Sequence, residues 1–440
     1  MTEKNQQPGY IHWFRQAMPY INAHRGKTFV IALSGAATAH SNINAIVQDI
    51  ALLNTLGAKI VLVHGVREQL EQRLAERNIA SEFVGSRRVT DAACLHAAIE
   101  ACSLVRAQLE TRLSMGLPNS PMHGAAIKIA SANVVTAQPA GIIDGTDLQF
   151  TGKVRKIDTS SVTTLLEMGN VVLLSPLGYS PTGEAFSLVY HEVAAAIARA
   201  IAADKLIVFS ERAGIVDSDG ELLRELDPDS AHTQLANAGN SDAVFKALAQ
   251  SAIDSATAGV RRVHLMDYQR DGALLEELFT VDGSGTMITS SQFETMRAAN
   301  ASDVAAIIDI IEPLEQQGVL LRRDRDQLRQ EIHHFTVVER DGLIVALAAL
   351  YPYADEQCGE IACIVTHPDY RKQSRGATLL AELEKMARGI GLKQLFVLTT
   401  QTAHWFLEQG FSQGDTAQLP AQKQRLYNYQ RNSRVLVKAL

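Results

Sequence analysis

At 440 residues the chain is longer than one ordinary core organises, so two or more domains are expected. Its 46% hydrophobic and 20% charged residues are the make-up of a globular enzyme, which excludes a disordered or fibrous chain. A net charge of -7 gives no footprint for nucleic acid, and no run of about 18 apolar, uncharged residues offers a membrane span.

The opening stretch has no apolar run behind a basic start, so no signal peptide is expected. Residues 10–21 (YIHWFRQAMPYI) are apolar at helical spacing and predict an amphipathic helix, which Pro19 should kink or end. The pattern leaves open whether this arm packs on its own domain or docks on a neighbouring subunit. Next, TFVIALSG reads as a buried strand, INAIVQDIALLNTLG as a helix stopped at Gly57, and KIVLVHG, GNVVLLSPLG and KLIVFSERAGI as further strands. Continuous Val/Ile/Leu runs separated by helices imply an α/β domain with a mainly parallel sheet covered on both faces.

That pattern runs to about Ile288. The polar segment 289–295 (TSSQFET) is the expected linker, which gives an arm over 1–24, a first domain over 25–288 and a second over 296–440. The second starts with a helix at SDVAAIIDIIEPLEQQG. Strands follow at FTVVER, IVALAALYP and GEIACIVTH, then a helix at RGATLLAELEKMARGIG, a strand at QLFVLTT and a helix from about Ala403. This is a mixed α/β domain. Cys94, Cys102, Cys358 and Cys363 have no CxxC spacing and no clustered histidines beside them. They read as reduced thiols of a cytosolic protein, and no metal is expected.

IACIVTHPDYRKQSRGATLLAELEK holds the strongest chemical signal: a strand, a charged turn, then an amphipathic helix. Free N–H groups at a helix start suit a pyrophosphate, and arginines add charge-assisted contacts. The stretch His367-Pro368-Asp369-Tyr370-Arg371-Lys372-Gln373-Ser374-Arg375-Gly376, with Leu379 and Leu380 beyond, resembles the acetyl-CoA loop of the GNAT N-acetyltransferase family. Lys372 and Ser374 stand where many members have glycine. The resemblance implies that Arg371, Ser374, Arg375, Gly376 and Ala377 line the pyrophosphate of acetyl-CoA. It implies that Ile364 and Val365 offer backbone groups to the pantetheine amide and to the reaction's oxyanion.

Acetyl transfer to an amine needs a base for the ammonium, stabilisation of a tetrahedral oxyanion, and an acid for the leaving thiolate. By resemblance Glu360 takes the first role, directly or through a water, and Thr399 lies near the leaving sulfur. A dicarboxylic acceptor needs at least two fixed cations, preferably arginines. Arginines cluster at Arg322, Arg323 and Arg325 and at Arg425, Arg431 and Arg434, and the resemblance favours Arg323 and Arg431.

The first domain is similar to the amino acid kinase family at IALSGAA, KIVLVHG, GVRRVHLMD and LLEELFTVDGSGTMI, which implies a three-layer α/β fold. Its kinase residues are gone. The Lys-x-Gly-Gly turn reads Ala32-Leu33-Ser34-Gly35, a glycine triplet is reduced to Gly65, and Asn-x-Asn-Ala-Asp reads Ser187-Leu188-Val189-Tyr190-His191. Phosphoryl transfer rests on positioning and charge, so these losses predict a binding module. Tyr20, Lys205, His264, Glu277 and Gly283 occupy the positions that form an L-arginine site in arginine-sensitive members of that family.

The fused pair of resemblances implies an acetyl-CoA-dependent N-acetyltransferase acting on L-glutamate in arginine biosynthesis, with L-arginine as allosteric effector. It also implies a homo-oligomer, a hexamer built through the N-terminal helices and the kinase-like domains. Three alternatives stay open: a bifunctional synthase and kinase, a non-catalytic arginine sensor, and an acetyltransferase for another amine.

Overall fold

The structure, a computed structural model, describes residues 9–116, 119–237, 243–280, 282–289, 294–340, 343–370, 375–426 and 433–440. The chain divides into two compact units, Met1–Ser291 and Gln292–Leu440. Among the described residues no helix is long and apolar enough to cross a membrane.

In the first unit, eight described strands form one sheet in the order Glu225–Leu226, Thr286–Ile288, Arg262–Asp267, Lys205–Ser210, Thr28–Leu33, Lys59–His64, Asn170–Leu174, Lys128–Ala130. Pairing is parallel from Lys128–Ala130 through Arg262–Asp267, and Thr286–Ile288 turns antiparallel. Val30, Ala32, Val61, Val63, Val172 and Leu174 join one core, while Phe29, Ile31, Leu33, Ile60, Leu62, Val171 and Leu173 join the other. Alternate side chains thus enter opposite apolar layers, and that double burial is why the strands carry unbroken apolar runs. A second, four-stranded sheet over 135–139, 152–157, 177–179 and 185–187 has no counterpart in the sequence reading.

The arm is the helix Gly9–His24, which runs through Pro19 rather than ending there. Proline removes one hydrogen bond, and the following turn holds because its side chains are anchored. Ala17 and Ile21 are buried in the unit's core. His24 hydrogen-bonds through Nε2 to the Leu278 carbonyl at 2.8 Å, with its ring edge-on to Phe29 and Phe279. The C-terminal half of the arm therefore packs on its own domain.

The second unit is a seven-stranded mixed sheet in the order Glu294–Ala298, Phe335–Arg340, Leu343–Tyr353, Cys358–Thr366, Gln394–Thr399, Arg434–Ala439, Ser412–Gln413. The proposed linker ends early, because Glu294 and Thr295 already pair with Arg340 and Glu339. The helix Val304–Gln316 packs Val304, Ile307, Ile310 and Ile311 onto one face together with Val337, Leu347 and Val365. In the helix Arg375–Gly389, Leu379, Leu380 and Leu383 are fully buried, as its amphipathic pattern predicts.

Candidate active site

Cys358–Thr366 is the strand that organises the candidate acetyl-transfer site. On one side it pairs antiparallel with Leu343–Tyr353, on the other parallel with Gln394–Thr399. The parallel pairing stops at Glu360 opposite Phe396, although both strands continue. Beyond Glu360 one edge of the strand is left open, which suits an extended ligand that pairs as a strand does. On the other edge Leu347 faces Val365 but Ala349 faces Ala362, so the strand carries an extra residue there. Cys363 takes the strain, at φ 51. Such a bulge twists a strand and redirects its groups.

The register distinguishes Ile364 from Val365. His367 N donates to Val345 O at 2.8 Å, and alternation along the antiparallel pair turns the Val365 backbone toward Leu347. Val365 therefore serves the sheet, and of the expected pair Ile364 is the one next to the bulge and the open edge.

Glu360 is buried at 7% exposure. On the opposite face of the strand, Gly359 lets the leucines pack close: a Cβ there would meet Leu392 Cδ1 at 2.8 Å and Leu350 Cδ1 at 3.0 Å. Lys423, on the helix Ala421–Leu426, brings Nζ to 2.6 Å from Glu360 Oε2. That contact is an ion pair outside hydrogen-bond geometry. Tyr353 is a further polar neighbour; burial first and the Glu360 charge second push its phenol up, so it stays an O–H donor.

Arg323 points inward, unlike its exposed neighbours Arg322 and Arg325. Its Nη1 lies 2.6 Å from Cys363 Sγ, and its backbone N donates to Glu315 Oε1 at 3.0 Å. Burial holds the Cys363 thiol up at about 11, against the pull of Arg323, so the sulfur stays protonated. Burial works against the guanidinium, but Cys363, Tyr351 and Glu360 more than offset it and raise its pKa. Thr399 ends its strand three residues past Phe396, its last position paired with Cys358–Thr366. Its Oγ1 shares a hydrogen bond of 2.8 Å with Thr402 Oγ1 and accepts from Thr402 N.

Arg375 corrects an expectation. Its side chain is 6% exposed; Nε meets Glu294 Oε1 and Oε2 at 2.7 and 2.8 Å, and Nη1 meets Tyr370 O at 2.6 Å. That guanidinium ties the helix start to the edge strand, and only its backbone is left for a pyrophosphate. Gly376 and Ala377 are half-buried in the first turn, and a Cβ on Gly376 would meet Trp405 at 3.3 Å. Arg371, Ser374 and Arg431 lie outside the described residues. Lys423, Tyr353 and the Cys363 bulge were missed by sequence reasoning. No group of three or more His, Cys, Asp or Glu able to hold a metal occurs among the described residues.

Residues 27–267 match the amino acid kinase family, and residues 304–411 match the acetyltransferase (GNAT) family. The amino-acid acetyltransferase of Pseudomonas paraeruginosa is 49% identical over 434 residues, 98% of this chain and 100% of its own. That of Pseudomonas putida is 47% identical over 433 residues, again 98% and 100%. The chain belongs to the amino-acid acetyltransferase family. A crystal structure of N-acetylglutamate synthase from Neisseria gonorrhoeae complexed with coenzyme A and L-arginine is similar at TM-score 0.87 and 35% identity, covering 98% of this chain and 100% of that one. A second, complexed with coenzyme A and N-acetyl-glutamate, gives TM-score 0.63 over the same shares.

In this amino-acid acetyltransferase the kinase-like unit keeps the fold and fills the phosphate turn with side chains. Gln69 Nε2 donates to Gly35 O at 2.9 Å and to Thr38 Oγ1 at 3.0 Å. A Cβ on Gly35 would collide with the Glu68 carboxylate, and one on Gly65 would meet Tyr190 at 2.9 Å. Ala32, where the kinase lysine would start the turn, is fully buried in its strand.

A second buried cluster lies beside the arm. Glu277 Oε1 meets His264 Nδ1 at 2.7 Å, and its Oε2 accepts from Ser284 N at 2.6 Å and Gly285 N at 2.8 Å. Burial alone would raise Glu277; the His264 bond and the backbone donors overcome it and hold the carboxyl at about 2. Burial, and then Lys205, lowers His264 to about 4, so a neutral imidazole faces a carboxylate. With Nδ1–H donating to Glu277, His264 Nε2 is an acceptor, and it has no hydrogen-bond partner. Gly283 sits at φ 64, where a Cβ would meet Glu277 Oε2 at 2.7 Å. Lys205 is buried, with Nζ 5.9 Å from the Phe29 ring, and Tyr20 packs against the same core. The five expected residues thus fall in one unit, and His24, which sequence reasoning passed over, stands beside them.

Proposed function

We propose that this amino-acid acetyltransferase moves the acetyl group of acetyl-CoA onto the α-amine of L-glutamate, giving CoA and N-acetyl-L-glutamate, the first step of L-arginine biosynthesis. The observation that carries the reading is the buried Glu360 carboxylate at the last paired position before its strand opens, with Arg323 and Lys423 close by. Glu360, directly or through a water, takes the proton of the incoming ammonium. The freed amine attacks the thioester carbonyl carbon, and the C–N bond forms as the carbonyl oxygen takes the charge. Backbone donors at the open edge by Ile364 stabilise that oxyanion. The intermediate collapses, the C–S bond breaks, and the second proton of the nitrogen passes to the departing thiolate; Thr399 is the proposed relay, giving its own proton to sulfur and regaining that one. Arg323, with Arg431, holds the carboxylates, and the Gly376–Ala377 turn with Arg371 and Ser374 holds the pyrophosphate.

L-arginine is the effector proposed for the kinase-like unit. The ionised Glu277 and the acceptor Nε2 of neutral His264 suit a guanidinium, and Tyr20, Lys205 and Gly283 complete the site. The gonococcal synthase complexed with coenzyme A and L-arginine supports this reading. A cytoplasmic homo-hexamer joined through the N-terminal helices is the assembly that goes with it.

Labelled acetyl-CoA tests the reaction. The acetyl label should appear on the glutamate nitrogen as N-acetylglutamate with one CoA released per turnover. Label retained in acetyl-CoA, or released only as acetate, rules the reading out.

A further inference from the structure

A dicarboxylic acceptor asks for at least two cations, and Arg323 and Arg431 are the ones proposed above. We infer that Lys423 is a third: a specificity-determining residue that leaves Glu360 when the acceptor arrives and takes the acceptor's α-carboxylate. The inference rests on the glutamate reading above.

Position carries the argument. To lose its proton, the acceptor's ammonium must come against the Glu360 carboxylate. In this structure another ammonium already stands there, Lys423 Nζ at 2.6 Å from Oε2. Two ammonium groups on one buried carboxylate repel each other, so Lys423 must yield the place. It has the means. Lysine is a compact charge on a flexible stem, and its side chain is 27% exposed, so it can rotate without unpacking a core. Its helix is the fixed part: Lys423 N donates to Pro420 O at 2.8 Å, and Gln424 Nε2 bonds the Leu419 and Ala417 carbonyls at 2.8 and 3.1 Å. The displaced Nζ therefore stays near Glu360. The α-carboxylate is bonded to the carbon that bears the amine, so it is the acceptor group that arrives there. Arg323, set at the bulge three residues along the strand by its contact with Cys363, is left for the distal carboxylate.

Steady-state CoA release by the full-length chain tests this, with L-glutamate and its α-amide as acceptors. Loss of one charge-assisted contact should raise the glutamate KM of Lys423→Met about tenfold, with the acetyl-CoA KM unchanged. The preference of wild type for glutamate over its α-amide should shrink about tenfold in that variant, and Lys423→Arg should restore most of it. A glutamate KM within about twofold of wild type, a parallel rise in both KM values, or an unchanged preference overturns the inference alone. A wild-type chain silent toward glutamate removes the proposed function and this inference together.

Discussion

Arg323 and Cys363 meet through a guanidinium nitrogen 2.6 Å from the sulfur, and Cys363 is the residue at which the central strand of the acetyltransferase unit bulges. The contact explains why one arginine of the 322–325 cluster turns inward while its neighbours stay in solvent. In the proposed reaction it also sets where the distal carboxylate of the acceptor is held. Replacing Arg323 by Lys keeps a charge and loses the fork. The glutamate KM should rise at least about tenfold, the cost of one charged hydrogen bond, while the acetyl-CoA KM stays put. Initial rates with each substrate varied in turn provide the check.

Glu360→Gln preserves shape and removes the proposed base. General-base catalysis contributes about a hundredfold to ten-thousandfold, so kcat should fall within that range. Single-turnover acetyl transfer in wild type and variant decides it, and a variant with wild-type turnover removes Glu360 from the base role.

Arg375 makes a different prediction from the one its sequence position suggests. Its guanidinium is spent on Glu294 and the Tyr370 carbonyl. Arg375→Met should therefore destabilise the second unit by about 2 kcal/mol, since Glu294 and the Tyr370 carbonyl lose charged hydrogen bonds while Glu294 keeps Arg340 at 3.6 Å. Denaturant unfolding would show the loss. The acetyl-CoA KM should change less than about twofold, because the pyrophosphate does not depend on that side chain.

The kinase-like unit should weaken in mild acid. His24 is held at about 3, and His64, His191 and His264 at about 4, all by burial first. A histidine depressed in the fold takes protons more readily unfolded, so its stability contribution is present above about 6.5 and is lost as pH falls toward 4. Asp49, raised to about 7 by burial, and Glu68, also raised chiefly by burial, act in the opposite sense. Four histidines outweigh two carboxyls, so the urea midpoint of the full chain's first transition should drop steadily between pH 7 and pH 5.

Glu277→Gln should cost arginine binding. The variant keeps an acceptor oxygen and removes the charge that faces the guanidinium. Calorimetric affinity for L-arginine should fall at least about tenfold, with a matching loss of any arginine effect on initial rate. Retention of wild-type affinity would move the effector site elsewhere.

The elements with strong periodicity were legible in the sequence: the strands Thr28–Leu33, Lys59–His64, Asn170–Leu174 and Lys205–Ser210 of the first unit, the helices Ile43–Thr55 and Arg375–Gly389, and the strand that carries Glu360. Their side chains face one or two buried layers, and composition records that directly. The helix Gly9–His24 exceeded its expected length because Ala17, Ile21 and His24 are anchored in the core, which outweighs one proline. Glu294 was read as linker because the strand Glu294–Ala298 lies at a sheet edge and carries no apolar run. Lys423 gave no signal, since it lies 63 residues beyond Glu360 in a polar segment and only the fold brings them together. The Cys363 bulge is a register shift, which no local pattern announces. Arg375 shows the opposite failure: the motif named the residue and the fold gave its side chain other work.

The most direct test of the whole account is kcat/KM for CoA thiol release across L-glutamate, L-glutamine, L-aspartate and a lysine peptide. The account predicts that glutamate exceeds each of the others by at least about a hundredfold, because only it offers an α-amine between two carboxylates at the right spacing for Glu360, Arg323 and Lys423. Comparable rates for glutamine or the peptide, or no release with glutamate, would contradict it.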